Sequence, residues 1–141
     1  MTTPLLIDDL KRDEGCRLTA YKDTLGVWTV GYGHAHVAPG TVWTQQQADS
    51  ALEADIANAV HDLDFRLPWW RKLDDVRQDV MAELVFNMGF DTLLGFHNTL
   101  AAIEAGNYAA ASGGMLASKW AKQVGARATR LAAMMKTGAR P

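Results

Sequence analysis

The sequence has almost no cysteine, no long apolar run and few acidic residues beyond its middle. The single cysteine, Cys16, excludes an intramolecular disulfide framework and a metal site built from cysteine clusters. No apolar run reaches the roughly 18 residues of a membrane-spanning helix, so we expect no stable membrane insertion. The N-terminal segment MTTPLLIDDLKRDEG lacks the cationic start of a signal peptide. We therefore expect a cytoplasmic chain that another protein must release.

The acidic residues are unevenly distributed along the chain. Residues 1–79 hold 13 of the 16 acidic residues, whereas the C-terminal part carries mainly lysine and arginine. A basic C-terminal segment could favour a polyanion such as nucleic acid or a cell-wall polymer, or its cations could simply lie on a solvated helix face. The length of 141 residues and the 48% share of hydrophobic residues are typical of one globular domain.

The residue patterns predict an α+β fold with its strands near the N-terminus. Residues 4–14 show helical spacing, and residues 17–21 and 27–32 are β-prone segments that flank the turn KDTLG. Later helices are predicted over 45–63, from 74 to 89, and over 97–105, 108–118 and 126–136. We therefore predict one domain over 1–141, with lobes at about 15–44 and 64–141, an N-terminal helix and a connecting helix at about 45–63.

The stretch RDEGCRLTAYKDTLGVWTVGYGHA, residues 12–35, contains the candidate catalytic residues. Glu14 ends the first helix, and the hairpin that follows returns Asp23 towards it. Two carboxyl groups in unlike surroundings suit glycosidic cleavage, because one protonates the leaving oxygen while the other orients a water molecule. Thr29 lies across the turn, where its hydroxyl could share that water. Many surface hairpins also bring two acids together, so spacing alone leaves the function open.

His34 has three possible roles, as a metal ligand, a base or an ion-pair partner. His36 is close in sequence, but no acid or cysteine at metal-ligand spacing completes a site, so we expect no metal. Asp55 on the long helix is a plausible ion-pair partner for His34. The glycines of GYGH do not form a dinucleotide fingerprint, because the third glycine and the following helix are missing.

Taken together, these motifs resemble those of the phage-type lysozymes, glycoside hydrolase family 24. The matching segments are DEG-C-RL, YKDT-GVWTVGYGH, VFNMG, GF-NTL and W…R…R, in the same order from about Leu5 to Gly138. The resemblance implies a lysozyme-like α+β fold and a cofactor-free endolysin. Such an enzyme is a muramidase that hydrolyses, with inversion, the β-1,4 bond between N-acetylmuramic acid and N-acetylglucosamine. Its implied partners are peptidoglycan glycan strands, not nucleic acid.

The resemblance also implies how such an enzyme reaches its substrate. It would be a monomer in the host cytoplasm, and a holin would permeabilise the membrane so that it reaches the periplasm. Two alternatives on the same fold remain open: a lytic transglycosylase, in which an internal hydroxyl of the sugar attacks, and a non-catalytic peptidoglycan-binding module.

Residue roles follow from the resemblance position by position. Glu14 is the implied general acid, and Asp23 and Thr29 hold the attacking water. The implied substrate contacts are Ala35, Phe86, Asn87, Met88 and Thr99. The implied structural ion pairs are His34 with Asp55 and Asp13 with Arg127. Two positions depart from the family: Ala35 replaces a leucine, and Gly114 stands where a saccharide-binding asparagine is expected.

Overall fold

The structure is a computed structural model that describes all residues from Met1 to Pro141. It has the predicted α+β composition, with eight α-helices, one short 3₁₀ helix and one three-stranded sheet. The first half contains α1 (Pro4–Glu14), β1 (Arg17–Lys22), β2 (Trp28–Gly31), β3 (His34–Ala35) and α2 (Gln45–Arg66). The second half contains the 3₁₀ helix (Pro68–Lys72), α3 (Asp75–Met88), α4 (Phe90–Leu94), α5 (His97–Glu104), α6 (Tyr108–Leu116), α7 (Lys119–Val124) and α8 (Ala126–Thr137).

The sheet is antiparallel, and its strands follow one another in the order β1-β2-β3. Thr29 in the central strand lies opposite Tyr21 of β1 and Ala35 of β3. The two-residue strand β3 was not predicted, because so short a segment shows no alternation that a pattern could reveal. Its pairing folds the GYGH segment back on β2, so the glycine-rich run forms a tight turn.

The chain forms two compact units, and the division falls within α2. The first, Pro4–Asn58, contains α1, the sheet and most of α2, and we call it the sheet unit. The second, Met1–Thr3 with Ala59–Pro141, contains the remaining helices, and we call it the helical unit. The main buried side chains of the sheet unit are Leu6, Leu10, Val30, Tyr32 and Leu52. Those of the helical unit include Trp70, Met81, Leu84, Ile103, Met115 and Leu131.

Buried acidic residues on α3 help to hold the helical unit together. The carboxylate of Asp79 accepts hydrogen bonds from the backbone N–H of Thr3 at 2.7 Å and from its hydroxyl at 2.6 Å. Arg140 donates to the same carboxylate. Asp79 is only 2% exposed, so these contacts tie both ends of the chain to one buried group.

The helix predictions were accurate for long segments and incomplete for short ones. The helix predicted over 45–63 continues to Arg66, and the one predicted over 108–118 ends at Leu116. Ser118 instead caps α7, because its hydroxyl accepts from the backbone N–H of Ala121 at 3.2 Å. The short helices α4 and α7 were missed, since five or six residues carry too little periodicity. None of the helices combines the length and the apolar character needed to cross a bilayer.

Candidate active site

Glu14 is the last residue of α1, and its half-buried carboxylate lies against the turn between β2 and β3. Gly33 in that turn has a φ of +75°, a conformation that side-chain-bearing residues rarely adopt. A Cβ atom added at Gly33 would lie 2.8 Å from Oε2 of Glu14, closer than such contacts normally come. The absence of a side chain at Gly33 therefore allows the backbone to approach the carboxylate directly.

Asp23 is fixed by the backbone of its own turn. Its Oδ1 atom accepts hydrogen bonds from the backbone N–H groups of Leu25 at 2.8 Å and Val27 at 2.9 Å. The backbone of Asp23 also bonds to Val27 and Gly26, which closes the turn. The Oδ2 atom makes no hydrogen bond within the chain. Asp23 thus has one oxygen held by the protein and the other available to a ligand or a water molecule.

Thr29 lies buried in the middle of β2, and its hydroxyl donates to the backbone carbonyl of Val27 at 3.0 Å. Because the only hydroxyl proton is used in this way, Thr29 can offer an incoming group only an acceptor. Val27 is bonded to both candidate side chains, through its N–H to Asp23 and through its carbonyl to Thr29. The relative placement of the two side chains is therefore determined by the backbone of one residue.

The structure brings His34 and Asp55 together, with 2.8 Å between Nδ1 and Oδ2. The His34 ring also packs against Trp43, with 5.2 Å between ring centroids. The first contact ties β3 to α2 and the second ties it to the segment just before α2, so both support the turn that approaches Glu14. Nowhere in the chain do three His, Cys, Asp or Glu side chains come close enough to hold a metal ion.

The other predicted substrate contacts lie in different places. Ala35 is exposed at the end of β3, in the sheet unit. Phe86, Asn87 and Met88 form the last turn of α3 in the helical unit, where all three are half-buried. The side-chain oxygen of Asn87 accepts from the indole N–H of Trp120 at 2.6 Å. This amide is therefore already oriented by a neighbouring side chain.

Thr99 is buried in α5, and its hydroxyl faces Gly114 of α6. A Cβ atom at Gly114 would overlap the Thr99 Oγ1 atom. The asparagine expected from the family at this position would therefore not fit unless the Thr99 side chain or one of the two helices moved. The departure at Gly114 was visible in the sequence, but its packing role was not, because nothing in the sequence pairs residue 99 with residue 114.

Asp13 and Arg127 each contact a charged residue within their own unit. The Asp13 carboxylate lies 3.3 Å from Nε of Arg12. The Nε atom of Arg127 lies 3.1 Å from Oε2 of Glu83, and Nη2 of Arg130 lies 2.8 Å from the same atom. Burial raises the pKa of Glu83, although both guanidinium groups act in the opposite direction. The predicted pair between Asp13 and Arg127 stays a prediction.

The cluster of Glu83, Arg127 and Arg130 was not predicted from the sequence. Glu83 is 1% exposed and is the most completely buried acidic residue of the chain. The only available signal was the spacing of Arg127 and Arg130, which places two cations on one face of α8. That spacing gave no indication of which acid they would meet.

The fold and the candidate site together are typical of small α+β glycosidases that use two carboxyl groups. Comparison with known proteins identifies the family: its model, described as "Phage lysozyme", matches residues 11–136, and the chain belongs to the phage lysozyme family. The family membership and the lysozyme-like fold predicted from the sequence motifs are thereby confirmed.

Three relatives illustrate the extent of the similarity. The endolysin of Acyrthosiphon pisum secondary endosymbiont phage 1 is 37% identical over 131 residues, which is 90% of this chain and 85% of that protein. The endolysin of Salmonella phage P22 is 33% identical over 119 residues, covering 78% of this chain and 77% of that protein. The endolysin of Lactococcus phage c2 is 57% identical over 51 residues, but these are 35% of this chain and 23% of that relative.

Proposed function

We propose that the protein is an endolysin muramidase that hydrolyses the β-1,4 bond between N-acetylmuramic acid and N-acetylglucosamine in peptidoglycan. The main support is the contrast between its two candidate carboxylates. Glu14 lies half-buried against the backbone at Gly33, whereas Asp23 has one oxygen held by two N–H groups and one oxygen open. A glycosidase needs such a pair, with one group acting as acid and the other as base.

The proposed reaction is a single displacement with inversion. A water molecule donates one hydrogen bond to the open oxygen of Asp23 and the other to the hydroxyl oxygen of Thr29, which leaves a lone pair directed at the anomeric carbon. As the water oxygen bonds to that carbon, the glycosidic C–O bond breaks and Glu14 protonates the departing oxygen. Asp23 takes the proton from the attacking water. The product has the α configuration at the new reducing end.

The hydrogen bonding of Thr29 favours water as the nucleophile. Its hydroxyl proton already binds the Val27 carbonyl, so its lone pairs suit a donor, and water has two protons with which to donate to Thr29 and Asp23 together. In a lytic transglycosylase the nucleophile would be a hydroxyl of the muramic acid itself, and no water holder would be required. Hydrolysis therefore accounts for both Asp23 and Thr29, and transglycosylation accounts only for Glu14.

Further parts of the proposal concern substrate contacts and release. Phe86 and Met88 are partly exposed and can offer apolar contacts to a sugar, and Ala35 at the end of β3 offers a smaller one. The family pattern also assigns substrate contacts to Asn87 and Thr99. We also propose a monomer that a separate membrane-permeabilising protein, a holin, releases from the host cytoplasm to the periplasm.

The decisive experiment compares the wild type with Glu14→Gln on purified peptidoglycan. We expect the variant to release reducing ends roughly 10²–10⁴-fold more slowly, because a general acid typically contributes that factor. Its circular dichroism and thermal unfolding should match the wild type. For the wild type, NMR of the first product should show the α anomer at the new reducing end. Mass spectrometry should show muramic acid ends to which a water molecule has been added.

Other outcomes would point to other functions. Full activity of Glu14→Gln would contradict the assignment of the acid. Muramic acid ends whose mass is lower by one water molecule than that of hydrolytic ends would identify a lytic transglycosylase. Tight peptidoglycan binding by the wild type without any release of reducing ends would identify a binding module.

A further inference from the structure

A surface pocket of about 430 Å³ lies in the sheet unit at the start of α2. It is lined by Trp43, Thr44, Gln46, Gln47 and Ser50. None of these residues belongs to the candidate active site. We propose that the pocket is an accessory saccharide site that binds an N-acetylglucosamine unit of a glycan strand. The choice of glycan rests on the proposed function, whereas the pocket itself is a separate feature of the structure.

The lining residues are all uncharged, which limits the ligand class. A phosphate, a carboxylate or a divalent cation would lose hydration without gaining an opposite charge, so such ligands are disfavoured. A neutral ligand with several hydroxyl and amide groups meets no such cost. N-acetylglucosamine is neutral, whereas N-acetylmuramic acid carries a carboxyl group or a peptide. The absence of charge therefore favours the N-acetylglucosamine units of the strand.

The polar groups of the pocket have hydrogen-bonding capacity that the protein does not use. Gln47 donates no side-chain hydrogen bond, although its oxygen accepts from the backbone N–H of Thr44 at 2.8 Å. The side chains of Gln46 and Ser50 and the indole N–H of Trp43 have no hydrogen-bond partner within the chain. Gln46 and Ser50 are four residues apart and so lie on the same face of α2. Acetamide and hydroxyl groups of a sugar need this mixture of donors and acceptors.

Trp43 gives the pocket a fixed aromatic wall. Its backbone N–H donates to the carbonyl of Leu18 at 2.8 Å, and its ring packs against His34. A Cβ atom at Gly31 would lie only 3.0 Å from the indole ring, so the backbone there is in close contact with it. The ring remains partly exposed on the pocket side. An indole held in this way offers an apolar face to a pyranose ring at little entropic cost.

The pocket is also connected to the candidate active site through one residue. His34 packs on Trp43 and directly follows Gly33, whose backbone approaches Glu14. A glycan strand bound beside Trp43 would therefore be held close to the segment that positions the acid. We expect the pocket to increase affinity for long or insoluble glycan, with little effect on the chemical step.

The first test is an NMR titration of the full chain, carrying Glu14→Gln to prevent cleavage, with chitotetraose as the probe. The pocket predicts shifts of the Trp43 indole N–H and of the Gln46 side-chain amide. Cellotetraose, which lacks the acetamide groups, should shift them far less. Shifts confined to residues outside the pocket would overturn the proposal.

The second test uses the double variant Gln46→Ala/Ser50→Ala, with Asn58→Ala, an exposed polar residue of the same helix, as the control. We expect binding of the Glu14→Gln chain to insoluble peptidoglycan to weaken about fivefold in the double variant, since truncated contact residues typically cost that much. With Glu14 restored, KM for peptidoglycan should rise by the same factor at unchanged kcat. Unchanged binding and KM would refute the proposed saccharide site even if the wild type is fully active.

The two proposals fail separately. If the wild type releases no reducing ends but the double variant still loses affinity for peptidoglycan, the muramidase proposal is wrong and the pocket is supported. A Trp43→Ala variant should lose more affinity than the double variant. It is the less informative change, because Trp43 also packs against His34.

Discussion

Two acidic residues of the sheet unit and two of the helical unit lie in contrasting surroundings. In the sheet unit, Glu14 and Asp23 are half-buried, and Asp23 keeps one oxygen open. In the helical unit, Asp79 and Glu83 are almost fully buried and are bonded to arginine side chains. Among these four residues, the two structural acids are buried and paired with arginine, whereas the two proposed catalytic acids are partly exposed.

One glycine in each unit shows a similar contrast between a catalytic and a structural neighbour. Gly33 in the sheet unit and Gly114 in the helical unit both allow an approach that a Cβ atom would prevent. At Gly33 the approaching group is the carboxylate of Glu14, and at Gly114 it is the buried hydroxyl of Thr99. The first contact is expected to affect activity, and the second stability.

The largest effect on stability is expected from Glu83→Gln. This change leaves Arg127 and Arg130 facing a neutral amide in a buried site, and loss of one partner of a buried ion pair typically costs about 3–5 kcal/mol. Urea unfolding at pH 7 should show the loss. Glu14→Gln is the matched control, since the same substitution at a half-buried site should leave the unfolding free energy nearly unchanged.

The activity of these two variants should follow the reverse order. Glu83→Gln, assayed well below its unfolding temperature, should retain most of its ability to release reducing ends, whereas Glu14→Gln should not. If Glu83→Gln is as stable as the wild type, the division between structural and catalytic acids is wrong.

A smaller effect, on activity, is expected from Gly33→Ala. The new methyl group would displace the Glu14 carboxylate, and misplacement of a catalytic group by about 1 Å can cost up to about 100-fold in rate. Gly40→Ala is the control, because Gly40 also has a positive φ of +82° but no atom within 4 Å of the new Cβ. Both variants should lose about 1–2 kcal/mol of stability from backbone strain. Equal activity of the two would show that Gly33 does not position Glu14.

The corresponding change in the helical unit is Gly114→Ala. Overlap with the Thr99 hydroxyl should lower the unfolding free energy by about 1–3 kcal/mol, the usual cost of overpacking. Gly113→Ala, one residue earlier in the same helix, meets no atom within 4 Å and should instead raise stability by about 0.5–1 kcal/mol. Thermal denaturation of both variants would measure the difference. A stabilising Gly114→Ala would mean that α5 and α6 move apart easily.

The sequence was informative where local chemistry determines structure. Helix α1 was predicted with the bounds that the structure shows, because helical spacing and Gly15 define both its ends. The start predicted for α2 at residue 45 was also correct, because Thr44 and Gln47 form a capping box there. The hairpin around Asp23 followed from its turn residues and β-prone flanks. These features depend on neighbours within a few residues of one another.

Features that depend on distant residues could not be predicted in this way. The pairing of Glu83 with Arg127 and Arg130 spans more than 40 positions in the sequence. The hydrogen bonds of Asp79 to Thr3 and Arg140 span even more. Neither pairing leaves a periodic pattern in the sequence. Among the candidate site residues, the sequence proposed Asp23 and Thr29 but could not show that the backbone of Val27 connects them.

The smallest effect is expected from Asp64→Asn. This change removes the ion pair between Asp64 and Arg71, which is exposed, whereas the pairs of Glu83 are buried. Two hydrogen bonds from Arg71, at 2.6 and 2.8 Å, and one from the Trp70 indole lower the pKa of Asp64. A lowered pKa means that its stabilisation is present above the unfolded-state value of about 3.9 and is lost as the pH falls through the folded-state value.

Because Asp64 and Arg71 are both more than 40% exposed, solvent screening should limit the loss in Asp64→Asn to about 0.2–1 kcal/mol at pH 7. The difference from the wild type should shrink as urea unfolding is repeated from pH 5 to pH 3, and the control Asp62→Asn, at an exposed side chain, should change the unfolding free energy at pH 7 very little. If the Asp64 variant loses as much stability as Glu83→Gln, then exposure does not separate weak from strong ion pairs in the helical unit. In that case the half-buried acids Glu14 and Asp23 could not be assigned to catalysis on exposure alone.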